Sequence, residues 1–186
     1  MNLIFRMIYL FLSTLFKPRL NVPEDTSCVD LMVLPNDLDT NWHMNNGRYL
    51  TIMDLGRLDL ILRSGLMGMM LKMKAVPILS AATIRYRLPL NPFQSYRLET
   101  NIIWWDEKWV YMEQRFIIKK GEKAGAVAAI GLVKGNFFCK KDMRVVPIPT
   151  MMDALNKAHI APPPCPNHVK EWIEAEEALR HVTKRD

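Results

Sequence analysis

Apolar and polar positions change their period several times along the chain, and each change marks an element. Met1 to Phe16 is apolar except for Asn2, Arg6, Ser13 and Thr14. A spanning helix needs roughly 20 apolar residues with few charges, so this shorter stretch, interrupted by Arg6, does not read as a simple spanning anchor. No small-residue cleavage site of the A-x-A kind follows it, which argues against a secretory signal. The stretch predicts an interfacial or marginally inserted helix with Arg6 and Lys17 reaching lipid headgroups; the alternative is a helix packed on its own domain or on a second copy. Lys17 to Asp25, with Pro18 and Pro23, is a connector.

Val29, Leu31 and Val33 then alternate with Asp30 and Met32, a half-buried strand ending at Pro35. Past a polar turn, Arg48 to Ser64 has the length and Leu/Ile/Met content of a helix stopped by a left-handed Gly65, with Asn45 or Asn46 as its N-cap. Leu50, Ile52, Met53, Leu55, Leu58, Leu60, Ile61 and Leu62 go nearly all the way round it. One sheet face would not hide them, so the helix must be wrapped. Met67 to Met73 reads as a Met-rich, gap-filling loop. The period then becomes that of strands: Pro77 to Leu88, Tyr96 to Trp105, Trp109 to Lys119 and Lys123 to Cys139, joined by short turns as antiparallel hairpins. Gly125, Gly131 and Gly135 would let the last strand bulge or curl. After the stiff spacer Ala161 to Pro166, residues His168 to Val182 form an amphipathic helix that packs on the domain or on a partner subunit. The expected division is 1–25, N-terminal helix and linker; 26–150, a strongly curved antiparallel sheet around a buried helix, an α+β domain; and 151–186, Pro-rich linker and C-terminal helix.

Composition narrows the picture little. With 24% charged and 49% hydrophobic residues over 186 positions the chain is one globular domain. Its net charge of +6 suits anionic partners without choosing among them. Cys28, Cys139 and Cys165 lack the spacing of a zinc site, and a reducing compartment is the simpler home. The aromatics around Trp104 to Tyr111 read first as cross-strand pairs, and nucleic acid is not an expected partner. Arg85 and Arg87 share a strand face, either solvated or in contact with phosphate.

One segment concentrates polar groups before a helix start: Asp37, Asp39, Asn41, His43, Asn45 and Asn46. The N–H groups and positive dipole end of a helix N-terminus suit a developing oxyanion, and a carboxylate in the preceding turn can serve as base or nucleophile. The competing reading is that the aspartates and asparagines merely cap the turn and the helix.

The run DLDTNWHMNNGRYL from Asp37 to Leu50 resembles the D-x-D-x-x-G-H-[VM]-N-N-x-x-Y-L pattern of hot-dog-fold acyl-CoA thioesterases of the 4-hydroxybenzoyl-CoA thioesterase type. Its HMNN form, together with the apolar N-terminus, is most similar to the thioesterase-superfamily member 6-like branch. The similarity extends from about Ser27 to about Pro147. It implies a hot-dog fold and a homodimer, or a dimer of dimers, with sites at the subunit interface. It also implies hydrolysis of an acyl-CoA to a carboxylic acid and CoA, with no metal and no cofactor beyond the CoA of the substrate. Asp39 matches the second acidic position, which serves as base or nucleophile, His43, Asn45 and Asn46 the pocket-shaping positions, and the backbone at Asn46 and Gly47 the donors to the thioester oxygen. Asp54 falls where many relatives carry a helix acid, although an ion pair with Arg57 explains it as well. Trp42 departs from the pattern, which has glycine there. The Leu/Met-rich helix suggests a medium- to long-chain acyl group, and CoA availability suggests a cytoplasmic protein, either free or attached through residues 1–16 to the cytoplasmic face of a membrane. The rival expectation is a non-catalytic acyl-lipid binding or membrane-interaction module on the same fold.

Overall fold

The computed structural model describes residues 2–183; Met1 and residues 184–186, at the outer ends of the two expected appendages, lie outside the described residues. Helix α2 (Asn46–Ser64) forms the axis around which a six-stranded antiparallel sheet curls, with strand order β1-β3-β4-β5-β2 and β6 added beside β5. The strands are β1 (Ser27–Met32), β2 (Ala75–Tyr86), β3 (Ser95–Trp105), β4 (Val110–Ile118), β5 (Val127–Cys139) and β6 (Arg144–Val146). The expected fold, a curved antiparallel sheet around a buried helix, is the one observed.

The helix starts with Asn45 as N-cap, its side chain accepting from Gly47 N–H at 2.9 Å, and stops at Gly65 with φ 85°. Its wrapped face buries Ile52, Met53, Leu55 and Leu60 against Leu98, Phe116 and Val133 of the sheet and against the residues that follow the helix. The closest approach is at Gly56, where a Cβ would lie 2.4 Å from Thr100 Oγ1, 2.8 Å from Leu98 Cδ2 and 2.9 Å from Gln114 Nε2. Gln114 spans this contact: its Nε2 donates to Met53 carbonyl and to Thr100 Oγ1, each at 2.9 Å.

Curvature comes from breaks in register. One lies between Leu79 and Ala81 of β2 where they pass Gly135 of β5, another between Ile102 and Trp104 of β3, a third between Phe116 and Ile117 of β4. Gly125, expected inside the last strand, instead takes φ 85° in the turn before it, so β5 begins at Val127 rather than at Lys123. The Met-rich segment is not a loop. Leu66–Lys72 is helix α3, because Leu66, Met69 and Met70 share one side and bury it in a second core with Leu60, Val146 and Met151. That core also contains Met151 of α4 (Ile148–Ala154), a helix hidden in the sequence by its flanking prolines. Helix α5 (Asn167–Thr183) docks on the outside of the sheet through the fully buried Val169 and an edge contact of Trp172 with Tyr111, while Leu179 and Val182 stand in solvent. Trp104 and Tyr111 pair across strands, as expected.

The N-terminal helix α1 (Asn2–Thr14) lies against α2 with an unusual polarity. Leu10 and Arg6 face inward and are buried, whereas Ile4, Phe5, Ile8, Phe11 and Leu12 face outward and are exposed, as is Leu15 just past its end. Arg6 and Lys17 therefore do not reach outward to headgroups. Arg6 pairs with the buried Asp37, and Lys17 with the buried Asp59, at 3.2 Å. Asp59 also accepts from Ser27 Oγ at 2.7 Å and pairs with Arg63 at 2.9 Å, stapling the connector to the second half of α2. Both cations are drawn inward because a buried carboxylate is far costlier to leave unpaired than an exposed cation is to solvate.

Candidate active site

The polar turn before α2 is shaped by its own backbone. Leu38 and Met44 form an isolated antiparallel bridge. Inside it Asp39 N–H donates to the His43 carbonyl at 2.8 Å, and Trp42 N–H to the Asp39 carbonyl at 3.1 Å. The Asp39 carboxylate folds back over this loop, Oδ1 accepting from Asn41 N–H at 2.8 Å and from His43 N–H at 3.2 Å. This is the local closure that short acidic side chains form readily. From outside, Met44 N–H donates to the Leu90 carbonyl at 2.9 Å and Asn45 N–H to the Asp37 carbonyl at 2.8 Å, so both ends of the turn are pinned.

Asp39 and His43 are half-buried; Asn45, Asn46 and Gly47 are exposed at the positive end of the α2 dipole. The structure thus brings the five sequence-predicted residues to one turn and one helix start. Their first-turn donors are not equivalent. Gly47 N–H is taken by Asn45 Oδ1, and Arg48 N–H by the Asn45 carbonyl at 2.8 Å. The Asn46 N–H is the donor that the turn itself does not use among the described residues. Asp54 stands further along α2, exposed and paired with Arg57, whose Nη1 also donates to Gln114 Oε1 at 2.8 Å. It belongs to the helix–sheet network and not to this turn.

Two groups that the sequence reading gave no role complete the surroundings, one of them at the tyrosine position of the motif. Tyr49, one turn into α2, is buried with its ring edge-on to Tyr86 at 5.0 Å and to Phe116 at 4.8 Å. Burial, then the neighbouring Tyr86 phenol and the Asp39 carboxylate, push the Tyr49 hydroxyl up to about 12, so it stays neutral beside the carboxylate at physiological pH. Tyr86 Oη donates to the Asn46 carbonyl at 3.0 Å, fixing the helix start from the sheet. For Tyr49 the sequence signal is the motif's own tyrosine position, in the first turn after the capping asparagines; Tyr86 comes from a strand 40 residues beyond Asn46 and carries none.

Asp37 has a different part from Asp39. It is fully buried, and its carboxylate accepts from Leu34 N–H at 2.9 Å and pairs with Arg6 at 2.5 Å and Arg48 at 3.3 Å. Trp42, at the loop tip, has φ 59° and is 71% exposed. That is the left-handed region in which a bulky side chain costs on the order of 1–3 kcal/mol, which accounts for glycine at this position of the pattern.

Beneath the opposite part of α2 lies an apolar cavity of about 420 Å³, lined by Leu55, Leu58 and Ile61 of α2, Ile78 and Leu79 of β2, and Met151 and Leu155 after β6. Asp54 and Arg57 stand at its wall. Among the described residues there is no group of three or more His, Cys, Asp or Glu side chains placed to hold a metal ion.

A curled antiparallel sheet wrapped on one long helix, with an acidic turn at that helix's N-terminus, is the hot-dog class of fold. The Thioesterase-like superfamily model matches residues 33–173, and the chain belongs to that family. It is 32% identical over 143 residues to Protein THEM6 of Xenopus laevis, a match that spans 77% of this chain but 65% of that protein. Among solved structures, YbaW, a "Probable Thioesterase" from Escherichia coli, superimposes with a TM-score of 0.64 at 18% identity, covering 73% of this chain and 99% of that one. Protein SAV2348 from Staphylococcus aureus, solved in complex with CoA, gives a TM-score of 0.62 at 13% identity over 81% of this chain and 95% of that one.

Proposed function

We propose that the chain hydrolyses an acyl-CoA to a free carboxylic acid and CoA, with Asp39 as the general base or nucleophile. The observation that carries this reading is the half-buried Asp39 carboxylate, oriented by two backbone N–H groups, in the turn that delivers the chain to the N-terminus of the wrapped helix. In one route the carboxylate takes a proton from water as the water oxygen bonds to the thioester carbon; in the other it attacks that carbon itself and water later opens the anhydride. In both, the Asn46 N–H and the helix dipole meet the oxygen that gains charge, and the C–S bond breaks to release the CoA thiol. Exposed Arg85, Lys140 and Lys141 offer cations to the CoA phosphates.

The acyl group is of medium to long chain. Support comes from the cavity under α2: its helix-borne walls lie 8 to 15 residues past Asn46, about 12–22 Å along the axis at 1.5 Å per residue. A tail anchored at the helix start must have that reach to fill it. Thiol release measured on a series from acetyl- to palmitoyl-CoA should rise steeply toward the long members; a maximum at acetyl-CoA would overturn the chain-length reading, and no release from any member would overturn the activity.

The active form is a homodimer paired along β2. This strand closes one end of the sheet, runs 12 residues, and leaves Ile78 and Leu79, two of the cavity's walls, 42% and 45% exposed. A long strand edge that is free of charge from Ala75 to Ile84, with Arg85 at its far end, is a template for a second strand. Ile78→Lys should convert a dimer into a monomer in sedimentation velocity, and a monomeric wild-type chain would remove the proposal.

A second reading rests on α1: a membrane-interaction or acyl-lipid binding module that has lost efficient turnover. No helix among the described residues is long and apolar enough to cross a membrane, but the outward face of α1 suits insertion into the interface of a bilayer, on its cytoplasmic side where CoA esters are met. The full chain should float with liposomes, and the pair Ile8→Asp and Leu12→Asp should sink. Equal flotation of the two would exclude contact through this face.

A further inference from the structure

We propose that Arg6 of the N-terminal helix is a positioning residue of the active site, so that α1 is a working part of the catalytic unit rather than an appended segment. The inference rests on the reading of Asp39 as the catalytic carboxylate. Arg6 is 8% exposed and Asp37 fully buried. The guanidinium donates from Nη2 to Asp37 Oδ2 at 2.5 Å, from Nη1 to Asp37 Oδ1 at 3.3 Å, and from Nη2 again to the Met32 carbonyl at 3.0 Å. One side chain of α1 therefore grips both carboxylate oxygens and the end of β1, a two-pronged geometry that arginine has and lysine lacks.

Asp37 passes this constraint to the site by three short routes. Its carbonyl accepts from Asn45 N–H, the cap residue of α2. Its carboxylate pairs with Arg48 in the first turn of that helix, and Arg48 Nη2 in addition donates to the Asn36 carbonyl at 3.1 Å. One residue beyond its chain neighbour Leu38 is Asp39 itself. The cation on α1 thus fixes the relative placement of the catalytic carboxylate and of the helix start that receives the thioester oxygen. Neutralisation explains the chemistry of the arrangement: a buried carboxylate without sufficient cations would draw water or turn outward, and either movement shifts the loop that carries Asp39. Displacements of the order of 1 Å in a reacting group cost about 100-fold in rate.

The control is built into the same helix. Leu10, 1% exposed, lies on the inward side of α1 in the main core and carries no polar group to offer Asp37. Leu10→Ala loosens α1 without removing a member of the charge network, whereas Arg6→Met removes the two-pronged one of the network's two cations at nearly constant volume. Two measurements on the full chain separate the cases: steady-state hydrolysis of a long-chain acyl-CoA, and amide hydrogen exchange across residues 38–48.

Arg6→Met should lower kcat by about 10- to 100-fold with KM changed by less than about threefold, and should speed exchange in residues 38–48. Leu10→Ala should lower the melting temperature yet keep wild-type kcat and wild-type exchange in that segment at temperatures well below melting. Arg6→Lys, which keeps one charge but not the two-pronged grip, should fall between Arg6→Met and wild type, and it stands in for Arg6→Met should the latter fail to fold. If Arg6→Met and Leu10→Ala behave alike in both measurements, or if exchange in residues 38–48 does not respond to Arg6, the proposal is overturned. If the wild-type chain releases no CoA from any substrate, the thioesterase reading fails by itself, and hydrogen exchange still decides whether Arg6 orders the turn.

Discussion

Asp39→Asn should lower CoA release by about 10²- to 10⁴-fold, the range that a positioned general base or nucleophile contributes, while leaving binding of acyl-CoA and the thermal midpoint nearly unchanged. The fold should tolerate the change because the asparagine oxygen can still accept from the Asn41 and His43 N–H groups that now hold Oδ1. What is lost is the negative charge and the ability to take a proton. Hydrolysis followed by thiol release, alongside isothermal titration with a non-hydrolysable thioether analogue, separates the two properties. Asp54→Asn is the matched comparison: its carboxylate pairs with Arg57 in a different network, so turnover should fall by less than about threefold. Equal losses in the two variants would mean that Asp39 has no special role.

The largest effect on stability is expected at Gly56. An alanine in an ordinary helix interior is worth about 1 kcal/mol more than glycine. Here the added Cβ would meet Thr100 Oγ1, Leu98 Cδ2 and Gln114 Nε2 all within 3.0 Å. Overpacking costs about 1–3 kcal/mol, and pushing Gln114 away from Thr100 and from the Met53 carbonyl strands buried polar atoms at about 1–3 kcal/mol more. The unfavourable terms win, and Gly56→Ala should be destabilised by about 2–4 kcal/mol in urea unfolding. Gly68→Ala is the contrast. It sits in α3 with nothing within 4 Å of the position a methyl group would take, so there the helix preference acts alone and the change should be neutral or slightly stabilising.

How far the sequence can be read depends on the range of the interaction involved. The wrapped helix announces itself because apolar residues on nearly every side have only one structural solution, and the strands because their turns carry local chemistry, as at Asp106, whose Oδ1 accepts from Lys108 and Trp109 N–H. The Met67 to Met73 stretch reads as a loop and is a helix, since seven residues are too few to display a helical period against so uniform a composition. Asp39 is legible from a contiguous motif. Asp37 is not distinguishable from a turn cap, because the closer of its two cations comes from a helix 31 residues away. For the same reason Arg6 reads as a charge for lipid headgroups. The motif's missing glycine becomes interpretable only with the backbone in view, where Trp42 takes up the left-handed conformation that glycine adopts without strain.

The inverted polarity of α1 bears on how this protein can be handled. A helix that shows Phe5, Ile8, Phe11 and Leu12 to solvent invites removal by anyone seeking a well-behaved sample. Trimming it would take away the sticky surface and, in the same cut, one of the two counter-ions of a carboxylate buried 31 residues further on. Detergent, or surface substitutions confined to the outward positions, would improve solubility while keeping Arg6 in place; a shortened chain that behaves well in solution and proves inactive would be reporting on the cut and not on the intact chain.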